Sequence, residues 1–315
     1  MVAIGIDIGG TSIKGAAVSE DGKVGEVFSM PVEKGEDQYI TIEKLIKITN
    51  EYLVSHGYNK NNVLGIGLGV PGAIDSIHGI CSSSNNLKWE NLPIKELFEK
   101  GTGIETRITN DANAAALGEA KFGAGKQYKD IIMITLGTGV GGGIVVGGKL
   151  IEGNEGKGAE LGHIVIQLNG RQCTCGRKGC FEVYASATAL ISDTKEAMEK
   201  DKNSLMHEIA KKNGKVDGRT AFDAAKQGDK TACEVVDQYV YYLCEGLLNY
   251  CNIFRPEAIV LSGGIANAGE YLLNKVNTYM KEHDYGFPKT PKVEVYLSEL
   301  GYDSGKVGAA ALFFE

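Results

Sequence analysis

The feature that most constrains the fold is a short segment that occurs twice in the chain. Residues 6–18 are typical of an apolar strand, a glycine turn and a second apolar strand, and residues 134–146 repeat that pattern without a gap. Self-similarity at such a distance indicates that one structural unit has been duplicated. A chance resemblance between two glycine hairpins is the alternative. At roughly 100–200 residues per domain, a chain of 315 residues is long enough for two domains.

Hydrophobic spacing and turn residues predict the other elements. We predict strands at 24–30, 63–70, 104–109, 258–261 and 293–296, and helices at 42–57, near 94, at 111–122, 236–254, 270–281 and from 303. Asn110 is expected to cap the helix that begins at Asp111, and a loop is expected between Gly72 and the short helix near residue 94. Strands alternate with helices and no linker separates the halves. We therefore predict an α/β protein of two packed domains with a cleft between them.

Charge and hydropathy exclude several classes of protein. The chain has 33 Lys and Arg against 40 Asp and Glu, a net charge of −7, whereas nucleic acids and anionic membranes are bound through clustered cations. No apolar run approaches the ~20 residues that cross a bilayer. The first residues lack the basic region of a signal peptide and include Asp7 among apolar residues. We expect a cytoplasmic protein with no nucleic-acid or membrane partner.

Glycine is abundant, so the known nucleotide-binding loops are tested first. Residues 143–150 nearly match the P-loop pattern, but Leu150 stands where a Ser or Thr is required. Residues 67–72 and 137–142 each match G-x-G-x-x-G. Neither segment opens a predicted helix, and binding of a pyrophosphate in that motif needs a helix N-terminus. These observations argue against NAD.

The two repeated turns indicate a different phosphate chemistry. Residues 9–11 and 137–139 are glycine turns that each include a Thr, and backbone N–H groups in such turns bind phosphates without a basic patch. Glycine suits this role because a Cβ would hold the phosphate away. Asp7, Lys14 and the match between the turns favour ATP binding over the alternative of plain hairpins.

A cluster of cysteines indicates a metal site. Cys173, Cys175 and Cys180 lie close in sequence, and His163 precedes them. Three thiolates and one imidazole complete a tetrahedral Zn²⁺ site with no open position, which makes the zinc structural. Free thiols are the alternative, since a disulfide between Cys173 and Cys175 would be strained. The other four cysteines, Cys81, Cys233, Cys244 and Cys251, are expected to be packed thiols.

Several motifs, taken in order, resemble those of the ROK family (repressor, open reading frame, kinase). They are DIGGT at 7–11, NDANAAA at 110–116, LGTGVGG at 136–142, ELGH at 160–163 and CTCGRKGCFE at 173–182. The resemblance covers essentially the whole chain and is strongest to the bacterial glucokinases of the family. It implies the actin-like ATPase fold of the hexokinase superfamily, with two domains that close on a sugar and MgATP, and a homodimer. We place a small domain at 1–109 plus 301–315, and a large domain with the zinc loop at 110–300.

The resemblance assigns roles to residues at the predicted site. Asp111 is the expected general base, although an acidic residue in a first turn can also simply complement the helix dipole. The sugar is expected to contact Gly72, Asn86, Asn110, Asp111, Glu160, His163 and Glu182. ATP and Mg²⁺ are expected at Asp7, Gly9, Gly10, Thr11, Lys14, Gly137, Thr138, Gly139, Gly263 and Gly264, with Asp7 placing Mg²⁺ through water and Gly263–Gly264 beside the adenosine. The loop with Ser84, Asn86 and Trp89 is a candidate lid, in which Trp89 is expected to pack in the core.

These assignments predict ATP-dependent phosphorylation of a hexose, above all glucose, at the 6-hydroxyl. A kinase for fructose, N-acetylmannosamine or N-acetylglucosamine would use the same chemistry. The resembled family also contains sugar-sensing repressors with an N-terminal winged helix, and the first predicted strand begins at Val2, which we take to leave no room for one. A sugar-binding protein without activity is disfavoured by two phosphate loops and the Asn110–Asp111 pair.

Overall fold

A computed structural model describes residues 1–285 and 289–314 of the chain. Those residues form thirteen strands: β1 (Val2–Ile8), β2 (Ser12–Ser19), β3 (Val24–Pro31), β4 (Val63–Val70), β5 (Ala73–Asp75), β6 (Ile80–Ser84), β7 (Trp89–Leu92), β8 (Thr106–Asn110), β9 (Ile131–Leu136), β10 (Val140–Val146), β11 (Lys149–Leu150), β12 (Ala258–Ser262) and β13 (Glu294–Leu297). They also form ten α-helices: α1 (Gln38–Ser55), α2 (Ile94–Thr102), α3 (Asp111–Phe122), α4 (Glu182–Ala185), α5 (Ala187–Lys200), α6 (Met206–Asn213), α7 (Thr220–Ala225), α8 (Lys230–Phe254), α9 (Glu270–His283) and α10 (Ser304–Ala311).

The predicted duplication is confirmed and extends to a whole sheet. The first sheet has the order β3-β2-β1-β4-β8, and the second has the order β11-β10-β9-β12-β13. In each sheet, the first strand of an antiparallel hairpin has its hairpin partner on one side and two further strands on the other. Strand β1 pairs antiparallel with β2 and parallel with β4, and β12 pairs parallel with β13. The α/β class is therefore confirmed.

Small residues on one face of the first sheet let helices approach its backbone. In β1, Ile4, Ile6 and Ile8 join the core that contains α1 and α2, while Ala3 packs with Val307 and Ala310 of α10. A Cβ on Gly5 would lie 1.8 Å from the Lys306 carbonyl oxygen. Because side chains alternate along a strand, the next residue on this helix-facing side is Asp7.

The same close approach explains the alternating glycines of β4. A Cβ on Gly67 would lie 1.8 Å from the Ala309 carbonyl oxygen, and one on Gly65 would overlap the Phe313 ring. Helices α3 and α10 also touch closely, since a Cβ on Gly308 would lie 1.6 Å from the Ala114 carbonyl oxygen. In the G-x-G-x-x-G match at residues 67–72, Gly67 and Gly69 are thus explained by helix–sheet packing, whereas Gly72 lies against β6 with φ +122°.

The predicted loop after Gly72 is wrong. Residues 73–92 form a three-stranded antiparallel sheet of the order β5-β6-β7, so this segment is not a free lid. Ile74, Cys81 and Leu92 fill its buried side, and Trp89, which is 2% exposed, packs in the core as expected. The strands were missed because they are short and β6 carries three consecutive serines. Helices α4 to α7 also had no prediction.

By contacts between residues, the described chain divides into two compact units. Unit 1 comprises Met1–Met133, Gly143–Ala159 and Glu299–Glu315, and unit 2 comprises Ile134–Gly142 and Glu160–Ser298. The predicted domain boundary at residue 110 does not coincide with these limits and stays a hypothesis about which parts move as bodies. Residues 286–288 and 315 of the predicted domains lie outside the described residues.

No helix in the described part of the chain combines the length and the apolar character needed to cross a membrane.

Candidate active site and metal centre

The candidate residues of unit 1 lie where three parallel strands end. Asp7 of β1 pairs with Gly69 of β4, and Gly69 pairs with Thr109 of β8. One residue further, Val70 pairs with Asn110. In open α/β sheets, ligands bind outside the carboxyl ends of such strands. The sheet register therefore brings Asp7 to the same edge as the Asn110–Asp111 pair.

Asp7 and Asp111 influence each other electrostatically at this edge. Burial and, second, the negative charge of Asp111 raise the pKa of Asp7 to about 6, although Lys306 and Lys14 act in the opposite direction. A Cβ on Gly305, in the first turn of α10, would lie 2.6 Å from the Asp7 carboxyl carbon. Asp7 is thus a carboxylate held in a restricted, half-buried position, which is the kind of oxygen donor Mg²⁺ uses.

Asn110 joins helix α3 to the start of the small sheet. Its Oδ1 accepts hydrogen bonds from the Ala112 and Asn113 N–H groups at 2.9 and 3.4 Å, as an N-cap does. Its Nδ2 donates to the Gly72 carbonyl at 3.0 Å. Gly72 has φ +122°, and a Cβ there would lie 2.2 Å from the Ser83 carbonyl oxygen. The predicted sugar ligands Gly72 and Asn110 therefore support each other's position.

The first glycine turn presents an open backbone. The Gly9 N–H donates to the Ser12 carbonyl at 3.0 Å, which closes the turn. Gly10 and Thr11 are exposed. Around a Cβ on Gly10 the nearest atom would be Asn86 Cβ at 3.9 Å, so neither packing nor a positive φ requires glycine there. Space for a ligand at the backbone is a reason that remains.

The second glycine turn is fixed by Ala187 and Thr188, which the sequence analysis did not single out, and by Glu182, which it predicted only as a sugar ligand. The Gly137 carbonyl accepts from the Ala187 N–H at 2.8 Å, and the Thr138 carbonyl accepts from the Thr188 hydroxyl at 2.7 Å. Glu182 Oε2 accepts from the Val140 N–H at 3.1 Å. A Cβ on Gly137 would meet no atom within 4 Å. The turn is thus rigidly held while one face stays open.

Gly263 and Gly264 directly follow β12, which has the place in the second sheet that β4 has in the first. Gly263 has φ +88°, and a Cβ there would lie 2.6 Å from the Leu136 carbonyl oxygen. A Cβ on Gly264 would meet no atom within 4 Å. Gly263 is therefore required by the backbone, whereas Gly264, like Gly10 and Gly137, is open.

The residues of the predicted zinc site come together in unit 2. The donor atoms of His163, Cys173, Cys175 and Cys180 all lie within 4.8 Å of one another. His163 Nδ1 is 3.7 Å from Cys173 Sγ, and the Sγ atoms of Cys175 and Cys180 are 3.6 Å apart. Tetrahedral zinc with ordinary bond lengths separates its ligand atoms by roughly 3.5–3.8 Å. The donor set and its spacing fit Zn²⁺.

The segment 160–182, which contains the four predicted zinc ligands and is called the metal loop below, also carries the predicted sugar ligands of unit 2. Glu160 is exposed, and its carbonyl accepts from the His163 N–H at 3.0 Å at the start of the short 3₁₀ turn Leu161–His163. Glu182 Oε1 lies 3.9 Å from Cys173 Sγ, while its other oxygen holds the glycine turn. Glu182 therefore links the metal cluster to the turn at residues 137–139, a connection that sequence spacing does not reveal.

The predicted residues thus form two groups. Unit 1 holds Asp7, Gly9, Gly10, Thr11, Lys14, Gly72, Asn86, Asn110 and Asp111, and unit 2 holds Gly137, Thr138, Gly139, Glu160, His163, Cys173, Cys175, Cys180, Glu182, Gly263 and Gly264. Sequence reasoning missed Lys306, whose charge lowers the pKa of Asp7. Its one signal in the sequence was its position in the first turn of a helix that follows an acidic residue, Asp303. Thr188 had none.

Comparison with known proteins identifies relatives along the whole chain. The chain is 39% identical over 318 residues to the glucokinase of Thermotoga maritima, covering 99% of this chain and 97% of the relative. It is 30% identical to the xylose repressor of Bacillus spizizenii, covering 99% of this chain and 77% of that repressor. Among solved structures, a ROK family glucokinase from Streptomyces griseus, in complex with glucose and AMPPNP, matches with a TM-score of 0.80 and 32% identity over 99% of both chains.

These similarities confirm the expected actin-like ATPase fold. The model of the ROK family matches residues 3–315, a range that includes the motifs at 7–11, 110–116, 160–163 and 173–182. This chain therefore belongs to the ROK family.

Proposed function

We propose that this protein is an ATP-dependent glucokinase that phosphorylates the 6-hydroxyl of glucose. The observation that carries the proposal is the place of Asp111, in the first turn of α3 at the carboxyl edge of the first sheet, beside Asp7. The similarity to the Thermotoga maritima and Streptomyces griseus glucokinases supports glucose as the acceptor and ATP as the donor.

Asp111 acts as the general base in this proposal. Its carboxylate orients the glucose 6-hydroxyl and accepts its proton as the oxygen attacks the γ-phosphorus; the new O–P bond forms while the bond to the ADP oxygen breaks. Because phosphoryl transfer has a loose transition state, orienting the nucleophile matters more than early proton removal. The Ala112 N–H donates to Asp111 Oδ1 at 3.0 Å, which restricts the orientation of the carboxylate.

Hydroxyls of the sugar bind to carboxylates, amides and backbone groups. Charged acceptors make short, strong bonds to O–H donors, which suits Glu160 and Glu182, with His163 beside them. In unit 1, Asn110, Gly72 and Asn86 have the corresponding role. The bond between Asn110 and Gly72 supports this assignment because it fixes both groups before the sugar arrives.

The phosphates of ATP bind the open backbones of the two glycine turns. Gly10, Gly137 and Gly264 support this role, because neither packing nor the backbone angle accounts for glycine at these positions. Thr11, Thr138 and Lys14 would add hydroxyl and ammonium donors, and Gly263–Gly264 would lie by the adenosine. Mg²⁺, held near Asp7 through water, would neutralise phosphate charge.

Zinc is proposed as the structural ion of the cluster formed by His163, Cys173, Cys175 and Cys180. With four protein ligands it would stiffen the loop between Glu160 and Glu182.

The homodimer expected from the family also belongs to this proposal. Light scattering tests it, since a dimer has twice the 33.6 kDa mass of one chain, and a monomer at assay concentration would contradict it.

A coupled assay across hexoses and N-acetylhexosamines tests the activity. We expect the highest kcat/KM with glucose, and an N-acetylhexosamine preferred by more than tenfold would overturn that assignment.

Asp111→Asn keeps the shape but removes the base, so kcat should fall at least ~10²-fold. Glucose affinity, measured by calorimetry, should change little because the amide still pairs with a hydroxyl. Near-normal turnover would remove Asp111 from the mechanism.

A further inference from the structure

A carboxylate outside the predicted site bonds to the strand that leads into it. Glu152 Oε1 accepts a hydrogen bond from the Thr109 hydroxyl at 2.5 Å, and Glu152 Oε2 accepts from the Ser76 hydroxyl at 3.0 Å. Thr109 is completely buried and directly precedes Asn110 and Asp111. A bond to an ionised acceptor is shorter and stronger than one between neutral groups. Glu152 therefore restrains the backbone one residue before the Asn110–Asp111 pair.

The bond from Ser76 closes this contact into a ring. Ser76 follows β5, and β5 begins immediately after Gly72, whose carbonyl accepts from Asn110 Nδ2. The end of β8 is thus joined to both ends of β5, directly by Asn110 to Gly72 before it and through Glu152 to Ser76 after it. Two connections at neighbouring positions fix the orientation of the strand end as well as its distance.

The segment that carries Glu152 is itself fixed against the same strands. The Gly158 N–H donates to the Glu152 carbonyl at 2.7 Å. Gly156 has φ +69°, and a Cβ there would lie 2.1 Å from the Ile74 carbonyl oxygen. The backbone on the C-terminal side of Glu152 is therefore anchored on β5, so the carboxylate has little freedom to leave Thr109.

We propose that Glu152 is a positioning residue whose carboxylate, by bridging Thr109 and Ser76, holds Asn110 and Asp111 in the orientation that the phosphoryl transfer needs. The inference rests on the proposed function, because it acts through Asp111. A rotation at residue 110 would move the Asp111 carboxylate relative to the acceptor hydroxyl, and misplacement by about 1 Å can lower a rate ~10²-fold. Binding of ATP would be unaffected.

Kinetics of four variants test the proposal. Glu152→Ala and Thr109→Val each remove the bond, and we expect kcat to fall at least tenfold with the KM for ATP within twofold of the wild type. Glu152→Gln keeps one oxygen for Thr109 and should recover most of the rate. Thr106→Val is the matched control, because Thr106 lies in the same strand, is also completely buried, and its hydroxyl donates within its own segment to the Ile104 carbonyl. Its kcat should stay within twofold.

The double variant Glu152→Ala/Thr109→Val separates positioning of Asp111 from general destabilisation of the protein. If Glu152 acts through Thr109, the pair of substitutions lowers kcat no more than the larger single loss, whereas independent effects multiply. A kcat within twofold of the wild type in Thr109→Val would overturn the proposal, as would equal losses in Thr109→Val and Thr106→Val. Should Glu152→Ala not fold, Thr109→Val and Glu152→Gln carry the test. If the wild type does not phosphorylate glucose, the proposed function fails; if Asp111→Asn keeps its turnover, the general-base role fails; if only Asp111→Asn is inactive, the bridge alone fails.

Discussion

Two neighbouring carboxylates in unit 1 show how one aspartate can serve activity at the expense of stability. Burial and the charge of Asp111 raise the pKa of Asp7 from 3.8 to about 6. Between these values the folded protein keeps a proton that the unfolded chain has lost, so stability falls as the pH rises through this window. Above pH ~6 the ionised Asp7 opposes folding. It is in this ionised form that Asp7 can attract Mg²⁺, so we also expect the affinity for MgATP to fall below about pH 6.

Asp7→Asn should therefore be more stable than the wild type while losing most of its activity. The pKa shift of about two units is the net effect of burial, Asp111 and the two lysines and corresponds to at most ~3 kcal/mol, so we expect a gain of about 1–3 kcal/mol at pH 7.5. Melting curves at pH 7.5 and pH 4 measure it, and the gain should vanish at the lower pH.

A second aspartate provides the control for that experiment. Asp21 is exposed, and hydrogen bonds from Lys23 and Ser19 lower its pKa to about 2, the opposite direction. Asp21→Asn should give no gain at pH 7.5. A wild-type protein that melts above Asp7→Asn at pH 7.5 would mean that the two lysines stabilise the carboxylate more than its burial and Asp111 destabilise it.

At the scale of secondary-structure elements, those with strong local sequence signals were predicted correctly. The elements that were missed are defined by contacts with other strands. Helix α3 begins and ends where the Asn110 cap and the alanine run predict, and β4 matches its predicted limits. The strands β5 to β7 have little periodicity of their own and are defined by pairing with each other. The support that Glu182 and Thr188 give to the glycine turn joins residues 42 and 50 positions apart, a distance over which sequence spacing carries no geometric information.

The metal loop gives the prediction at this scale. Removal of zinc, by chelation or by Cys175→Ser, should loosen the segment that holds Glu160 and Glu182, raise the KM for glucose and lower the melting temperature. The exposed Cys175 is the ligand least involved in core packing, which makes its substitution the cleanest. Cys233→Ser, outside the cluster, is the control.

The KM for ATP after zinc removal shows whether zinc supports only the segment with Glu160 and Glu182 or also the glycine turn. Glu182 also supports the turn at residues 137–139, so a change in the KM for ATP would show that zinc acts through that bond as well. Elemental analysis should find one zinc per chain in protein purified without chelators. Its absence, or an unchanged glucose affinity after proven metal loss, would contradict the proposed structural role.

At the scale of the whole molecule, the two units are interwoven along the chain. Unit 1 is built from three separate segments and unit 2 from two. The strand β9 belongs to both, since Met133 closes one segment of unit 1 and Ile134 opens unit 2. Because the chain passes several times from one unit to the other, neither unit is a continuous segment, and we expect loss of one unit to unfold the other.

Calorimetry tests this coupling. We expect one thermal transition in which the calorimetric and van't Hoff enthalpies agree. Glucose at about 100 times its dissociation constant should stabilise the whole chain by ~2.7 kcal/mol, as binding to the folded state alone requires. Two resolved transitions, of which glucose shifts only one, would show that the units unfold independently.

The open faces of Gly10, Gly137 and Gly264 have a consequence for screening variant libraries. Alanine meets no close atom at any of the three positions, so cells should accumulate Gly10→Ala, Gly137→Ala and Gly264→Ala at wild-type abundance. The same cells should grow poorly when glucose is the sole carbon source and this chain supplies the only route for its phosphorylation. Gly308→Ala should behave differently, because its Cβ would collide with α3 and the protein itself should be lost. A library sorted for abundance and for growth would therefore separate glycines kept for a ligand from glycines kept for packing.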